Sequence, residues 1–288
     1  MEFGVVTFYK YIKISNPQKL TEKIRKLCEK LDLFGRILIA GEGINAGVSG
    51  EKKKMDKFKL GIKKNKLFSD ISFREQECER NTYHKLVVRT RKEIVSFEEK
   101  ISLDKRGKYI DPKKLNEWIN GKEDFVLLDV RNDYETKVGK FKNALTLSIE
   151  NFRDFPAEIK KLQHLKDKKI VTYCTGGVRC EKASSYMKEN EFKNVRQLRG
   201  GIINHIGKFP DDFLGSCFVF DDRLVSRLND PISECEICGK NCNIYINCHN
   251  LDCDKLFVCC DECMGKMNKA CSAECKNSPK QRKEIATN

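Results

Sequence analysis

The first run of apolar, β-branched and aromatic residues, Phe3 to Tyr9 (FGVVTFY), predicts a strand. After Pro17 the spacing of Leu20, Ile24, Leu27 and Leu31 predicts an amphipathic helix. The pattern then repeats. Arg36 to Ala40 (RILIA) reads as a strand, the Gly-rich GEGIN turn leads into Ala46 to Ser49, Glu51 to Lys64 reads as a Lys-rich helix, and Ile71 to Arg74 and Leu86 to Arg89 read as extended. The order β-α-β-β-α-β is that of a ferredoxin-like α+β unit. A connector follows, with a short helix from Asp111 to Ile119, Asp111 as N-cap and Pro112 at the first helical position.

Beyond it the pattern changes to alternating strands and helices. Strands are expected at Phe125 to Val130, Lys169 to Tyr173 and Val195 to Leu198, and helices at Phe155 to Leu165, Glu181 to Asn190 and Ile202 to Lys208. RNDYETKVG reads as a loop, and Gly200-Gly201 turns the chain into the last helix. Such a parallel α/β series places functional groups at the carboxyl ends of its strands. The units expected are a basic ferredoxin-like domain at 1–92, a connector at 93–124, a parallel α/β domain at 125–230 and a Cys-rich module with its tail at 231–288.

Charge sharpens this division. The chain carries 56 Lys plus Arg against 42 Asp plus Glu, and the first 100 residues hold 23 of the former and 14 of the latter. A polyanionic partner is favoured, engaged through the first domain. The run from Lys52 to Lys66 holds eight lysines. It reads either as a solvated helix face or as a phosphate contact, for which Lys52, Lys53, Lys54 and Lys57 are the candidates. Phe8, Tyr9, Tyr11, Phe73 and Tyr83 are aromatics that can stack on bases, though alternation sends several of them to the core. No apolar run approaches the ~20 residues of a membrane span and the first residues lack the order of a signal peptide, so a cytoplasmic location without membrane contact is expected.

Fifteen cysteines without an export signal point to thiols that serve metals or catalysis. Ten of them lie between Cys235 and Cys275 with the spacing C-x2-C-x3-C-x5-C-x4-C-x5-C-C-x2-C-x7-C-x3-C. Each C-x2-C pair supplies two ligands from one tight turn, so Cys235/Cys238 and Cys260/Cys263 read as a structural zinc site. Cys248, Cys253, Cys271 and Cys275 can close a second, leaving Cys242 and Cys259 spare. The pairing itself is not fixed by spacing, and disulfides are the competing reading.

The chemically informative stretch is Cys174-Thr175-Gly176-Gly177-Val178-Arg179-Cys180. A cysteine that follows a buried strand and precedes a Gly-rich turn into a helix sits among convergent N–H groups, which stabilise a thiolate. Such cysteines titrate at about 3.5 to 7.5 rather than about 8.5, and Arg179 adds to the field. Phosphatases built on a cysteine cradle have one more residue between Cys and Arg than the four present here, which argues against phosphate ester hydrolysis. Cys180 reads either as a resolving thiol for an oxidised Cys174 or as a small residue packed under the loop. Asp129 and Arg131 are expected to hold the loop rather than to react.

DVRNDYE at Asp129 to Glu135, the Cys174 loop and LRGGI at Leu198 to Ile202 resemble the rhodanese domain. CTGGVRCEKAS from Cys174, EGIN at Glu42 to Asn45, FVFD at Phe218 to Asp221 and the Cys-rich tail resemble, over nearly the whole chain, the rhodanese-related tRNA uridine hydroxylases. Val178 stands where Ile is common in that family, and Gly41 and Gly47 alter the surroundings of EGIN. The resemblance implies a rhodanese-like central domain and hydroxylation of uridine 34 of tRNA at carbon 5, with molecular oxygen as co-substrate, Cys174 as the essential cysteine and tRNA as partner. No flavin, haem or nucleotide fingerprint is apparent. The rival readings are a sulfurtransferase that carries persulfide on Cys174 and a zinc-containing binding protein whose loop does not react.

Overall fold

The computed structural model describes residues 2–282 of the 288-residue chain. The first domain comprises β1 (Phe3–Tyr11), α1 (Pro17–Lys30), β2 (Phe34–Ala40), β3 (Gly43–Glu51), α2 (Lys52–Lys63), β4 (Arg74–Cys78) and β5 (Leu86–Thr90). Its sheet runs β4-β1-β3-β2-β5, the ferredoxin-like order with β5 added parallel to β2. Alternation sorts its two faces. Val6, Phe8, Ile37, Ile39, Ala46 and Val48 join Ile24, Cys28, Met55, Phe58 and Ile62 of the two helices in one apolar core, while residues one position away along the strands face the other way. The strand expected from Ile71 begins instead at Arg74. Ile71 is buried and bonds Phe68 across a 3₁₀ turn, filling the core below the sheet before the chain extends.

The central domain contains β6 (Lys108–Ile110), α3 (Pro112–Ile119), β7 (Val126–Asp129), α4 (Asp133–Val138), β8 (Gly139–Phe141), α5 (Phe155–Lys161), β9 (Lys169–Tyr173), α6 (Val178–Glu189), β10 (Asn194–Leu198) and α7 (Gly201–Ile206). Strands β6, β10, β9 and β7 form a parallel sheet in that order. Two expectations are corrected. The stretch read as a loop after Asp129 holds α4, whose start is fixed by the Asn132 N–H donating to Glu135 Oε1 at 3.2 Å while the Asn132 carbonyl accepts from the Glu135 N–H at 3.0 Å. Helix α6 begins at Val178, one turn earlier than expected, because Gly177 takes the left-handed N-cap conformation (φ +98°) that starts it directly from the loop. At α3, Asp111 makes no capping bond through its side chain and pairs with Arg199 Nε at 2.7 Å.

Strands β11 (Phe213–Gly215), β12 (Cys217–Phe218) and β13 (Val225–Ser226) lead to the tail, which is built on β14 (Tyr245–Asn247), β15 (Leu256–Val258), α8 (Asp261–Lys266) and α9 (Ala273–Lys276). The tail is not free-standing. Its core, with Tyr245, Phe257 and Val258, is continuous with Val138 of α4 and Phe218 of β12, and Tyr245 Oη–H donates to the Tyr134 carbonyl at 2.9 Å. Among the described residues no helix is long and apolar enough to cross a membrane.

The first two domains are joined through α6. Lys182 is 2% exposed, and its ammonium meets Glu42 at 2.9 Å, Glu93 at 2.7 Å and the Val95 carbonyl at 3.1 Å. Glu181, equally buried, accepts from Tyr9 Oη at 3.0 Å and from Tyr109 Oη. Of the EGIN residues, Glu42 also accepts from Ile94 N–H, Ile44 is core and Asn45 donates to the Ile94 carbonyl. The motif is therefore a hairpin that fastens the connector. Truncating one member of a fully buried ion pair costs about 3–5 kcal/mol. Glu42 and Glu93 keep about a quarter of their side-chain surface in water, so Lys182→Met should lower unfolding free energy by roughly 2–3 kcal/mol in urea titrations, with Lys182→Arg closer to wild type.

Candidate active site

Cys174 follows β9 immediately and lies at the floor of a cavity of about 900 Å³ between the first and central domains. The loop after it is held from three sides. Gly177 N–H points at Cys174 Sγ (3.1 Å), and the Cys174 and Thr175 carbonyls accept from Ile202 and Ile203 N–H at the start of α7. That approach requires Gly201. Its φ is +67°, and a Cβ there would lie 2.4 Å from the Cys174 carbonyl and 2.6 Å from that of Thr175. Below the loop, the fully buried Glu135 accepts from Thr175 Oγ1 (3.1 Å) and forms a two-pronged pair with Arg179 (Nη2 to Oε2, 2.7 Å, and Nη1 to Oε1). Asp129 and Arg131, both without exposed surface, pair with each other, and Arg131 also donates to the Glu135 carbonyl within α4 and to the Gly139 carbonyl at its C-terminal end.

These contacts set the state of the thiol. Burial alone would raise Cys174. The Cys180 S–H, the Arg179 charge and the N–H groups of Arg179 and Gly177 outweigh burial and bring it down to about 6. Cys180, buried beneath and facing that thiolate, is pushed well above its ordinary range. At neutral pH the pair is thus one thiolate with one thiol donating to it. Glu135 is drawn down against its own burial by Arg179, and Arg179 stays charged.

The roof of the cavity is the sheet face of the first domain opposite its helices, with Thr7, Tyr9, Arg36, Leu38, Asn45 and Arg74. Cations predominate along its rim. Arg153 pairs with Glu98 and Arg223 with Asp221, whereas Arg36, Arg74, Arg91 and Lys92 form no ion pair among the described residues. Phe220 of FVFD is 49% exposed at the mouth, its ring 5.3 Å from Phe218 and 5.5 Å from the Arg179 guanidinium. Lys52, Lys53, Lys54 and Lys57 line no part of the cavity. They belong to α2 on the far face of the sheet, where Lys52 pairs with Glu77 and Lys54 with Glu51 and Asp32. The rim cations and Phe220 were missed in the sequence. The signal that marks the roof residues is strand alternation, which sets Arg36, Asn45 and Arg74 on the face opposite Ile37, Ile44 and Phe73.

The tail brings eight cysteines into two groups, Cys235, Cys238, Cys260 and Cys263 in one and Cys248, Cys253, Cys271 and Cys275 in the other. In each, all four sulfurs lie within 4.8 Å of one another. Sulfur separations of 3.7 Å (Cys238 to Cys260 and Cys253 to Cys271) and 3.8 Å (Cys271 to Cys275) are far beyond a disulfide bond of about 2.05 Å. They equal the edge, about 3.8 Å, of a sulfur tetrahedron around a metal with bonds of about 2.3 Å. Cys242 and Cys259 stand outside both groups, buried in the tail core.

Residues 3–94 match the family model described as the UPF0176 acylphosphatase-like domain, residues 111–204 the rhodanese-like domain and residues 214–276 the rhodanase C-terminal region. Curated relatives named tRNA uridine(34) hydroxylase match nearly end to end. The one from Cytophaga hutchinsonii is 40% identical over 98% of this chain and 92% of its own, and the one from Onion yellows phytoplasma is 38% identical over 98% and 94%. The Bacillus licheniformis protein of that name is 37% identical over 97% and 90%. Among solved structures, a rhodanese-related protein from Thermoplasma volcanium aligns at 25% identity with a TM-score of 0.30, covering 35% of this chain and 92% of its own.

Thiolate reactivity provides the test of this geometry. Alkylation of Cys174 by a small iodoacetamide, followed by peptide mass spectrometry, should be half-maximal near pH 6, falling below it as the thiolate is protonated. In Cys180→Ala the midpoint should move up in pH, because a donor to the thiolate is lost while its burial remains.

Proposed function

The chain belongs to the tRNA uridine(34) hydroxylase family, and from that footing we propose that Cys174 performs the reaction as a nucleophile on the uracil ring. The observation that carries the assignment is a lowered, N–H-cradled thiol at the floor of a cavity roofed by a cation-bearing sheet face. Cavities of about 300–1,000 Å³ hold small ligands. One flipped-out nucleotide is within that range, and enzymes that act on a base must first take it out of its stack.

In this reading Arg36, Arg91 and Lys92 at the rim meet phosphates flanking position 34, and Phe220 offers its exposed ring to a base that has left the anticodon stack. The lysines of α2, on the far side of the sheet, contact only RNA that wraps away from the reacting base. The Cys174 thiolate adds to carbon 6 of uracil, and the displaced π pair makes carbon 5 nucleophilic toward oxygen. Uridine, O₂, two electrons and two protons then give 5-hydroxyuridine and water. Two equivalents of a cellular thiol supply the electrons and protons and leave as a disulfide, and loss of the carbon 5 proton with expulsion of Cys174 restores the ring. The Cys180 thiol, already donating to Cys174, keeps it ionised between turnovers. Such an enzyme works where its tRNA is, in the cytoplasm.

Both tail groups fit zinc: four thiolates, tetrahedral edges and no carboxylate in the set. Zinc there supplies folding free energy to a module with little core of its own, and Cys235, Cys238, Cys260 and Cys263, then Cys248, Cys253, Cys271 and Cys275, would hold the two ions. The module backs α4 and so keeps Glu135 under the loop.

Nucleoside mass spectrometry of tRNA from cells lacking the gene should show loss of 5-hydroxyuridine-type nucleosides, restored by wild type and not by Cys174→Ala. Restoration by Cys174→Ala would remove the nucleophile from the mechanism. Metal analysis should find about two zinc ions per chain, and chelation should open the tail to proteolysis before the first domain.

A further inference from the structure

One cationic side chain in the cavity has no assigned partner. Arg74, at the first position of β4, reaches from the first domain across to the Cys174 loop. Its guanidinium atoms lie 3.7–4.0 Å from where a Cβ on Gly176 would stand. The group rests 5.3 Å from the Tyr9 ring centroid, and among the described residues its Nε, shut off from water, has no hydrogen-bond partner and the guanidinium forms no ion pair. The other arginine at the loop, Arg179, is already committed to Glu135. A buried donor left unpaired costs about 1–3 kcal/mol, so its retention here calls for a ligand.

Cys174 has no exposed surface. The first domain lays Arg74, Tyr9 and Tyr11 over the loop: the Tyr9 hydroxyl lies 3.0 Å from a Cβ position on Gly177, and Tyr11 Oη–H donates to the Val178 carbonyl at 3.2 Å. A base that enters the cavity toward the thiolate meets the Arg74 guanidinium beside the loop, and among the described residues that group makes no hydrogen bond that would have to break for it to move. The charge then needed is of the same sign. Addition of the Cys174 sulfur to carbon 6 forms one C–S bond and moves the carbon 5–carbon 6 π pair onto carbon 5 and, by conjugation through carbon 4, onto O4. The step consumes no oxidant or reductant and transfers no proton.

We propose that Arg74 is a catalytic residue of this enzyme, whose guanidinium yields its place to the entering uracil and donates hydrogen bonds to O4, holding the negative charge that appears there on addition. The assignment rests on the reading of Cys174 as a nucleophile toward carbon 6. It joins the two domains in one chemical step: the central domain supplies the nucleophile and the first domain the group that stabilises its product. Removing a donor aimed at a developing oxyanion lowers turnover by about 10²–10³-fold, whereas losing a phosphate contact weakens binding instead.

The addition step can be observed alone. In the absence of oxygen, an enolate at carbon 5 picks up a solvent proton and then reverts, so tRNA deuterated at carbon 5 of uridine 34 loses its label, which mass spectrometry of the nucleoside reads. With full-length protein and saturating tRNA, Arg74→Met should slow exchange and aerobic hydroxylation together by about 10²-fold or more. Its Kd for tRNA should stay within about threefold of wild type, and iodoacetamide should alkylate its Cys174 at least as fast with an unchanged pH midpoint. Arg74→Lys, which keeps the charge without the planar fork, should recover part of the loss. Exchange at the wild-type rate in Arg74→Met overturns the proposal, as does a defect confined to Kd or a shifted alkylation midpoint that accounts for the slower rate. If wild type hydroxylates tRNA yet exchanges no label, addition at carbon 6 itself fails and the role of Arg74 fails with it. Exchange in wild type with an unaffected Arg74→Met leaves the nucleophile standing and refutes Arg74 alone.

Discussion

Helix α6 carries three charged side chains, Arg179, Glu181 and Lys182, almost entirely out of water, and an ion can remain there only where another element supplies its partner. Each of the three looks in a different direction. Arg179 turns down to Glu135 of α4, Glu181 meets Tyr9 of β1 and Tyr109 of β6, and Lys182 meets Glu42 and Glu93. The position of the helix is therefore fixed by charge satisfaction on three sides. Its N-terminus, which is also the wall of the thiolate nest, is fixed with it. The residues following Cys174 look like a catalytic signature, yet two of them, Glu181 and Lys182, are the fastening between domains.

Charge is divided between two tasks across the site. Arginines below the loop are neutralised by carboxylates and serve geometry, as in the Asp129–Arg131 and Glu135–Arg179 pairs. On the roof and rim Arg36, Arg74 and Arg91 stay uncompensated among the described residues, and an anionic ligand meets a field that the protein has not spent on itself. The Cys174 thiolate profits from both: it is stabilised by short-range N–H and S–H donors and stands in a long-range positive potential.

Local pattern carried the reading of the sequence a long way. Strand periodicity and turn residues located β1, β2, β9 and α1 within a few residues, and the strand-end cysteine before two glycines identified the loop. One of the two sulfur groups is built from two C-x2-C pairs, Cys235/Cys238 and Cys260/Cys263, because knuckle geometry is local. What lay outside reach depended on which surfaces meet. Nothing near Arg74 in the chain says that its face of the sheet covers another domain's loop, and nothing near Glu42 announces a lysine from α6. Likewise, the lysine-rich α2 advertises charge by composition while the topology turns it away from Cys174. Asn132 and Glu135 did hold a capping signature, hidden by the short length of the helix that they start.

Helix α4 lies between the Cys174 loop on one side and the tail on the other, through Tyr134, Lys137 and Val138. A ribosome makes the chain from its first residue to its last. Cys174, its glycines and Arg179 have all emerged while Cys271 and Cys275, which complete one sulfur group, are still to be translated. The wall behind Glu135 is thus the last part of the loop's support to be made, and a message cut short in its final tenth yields a chain with the whole Cys174 loop present and the brace behind it unfinished.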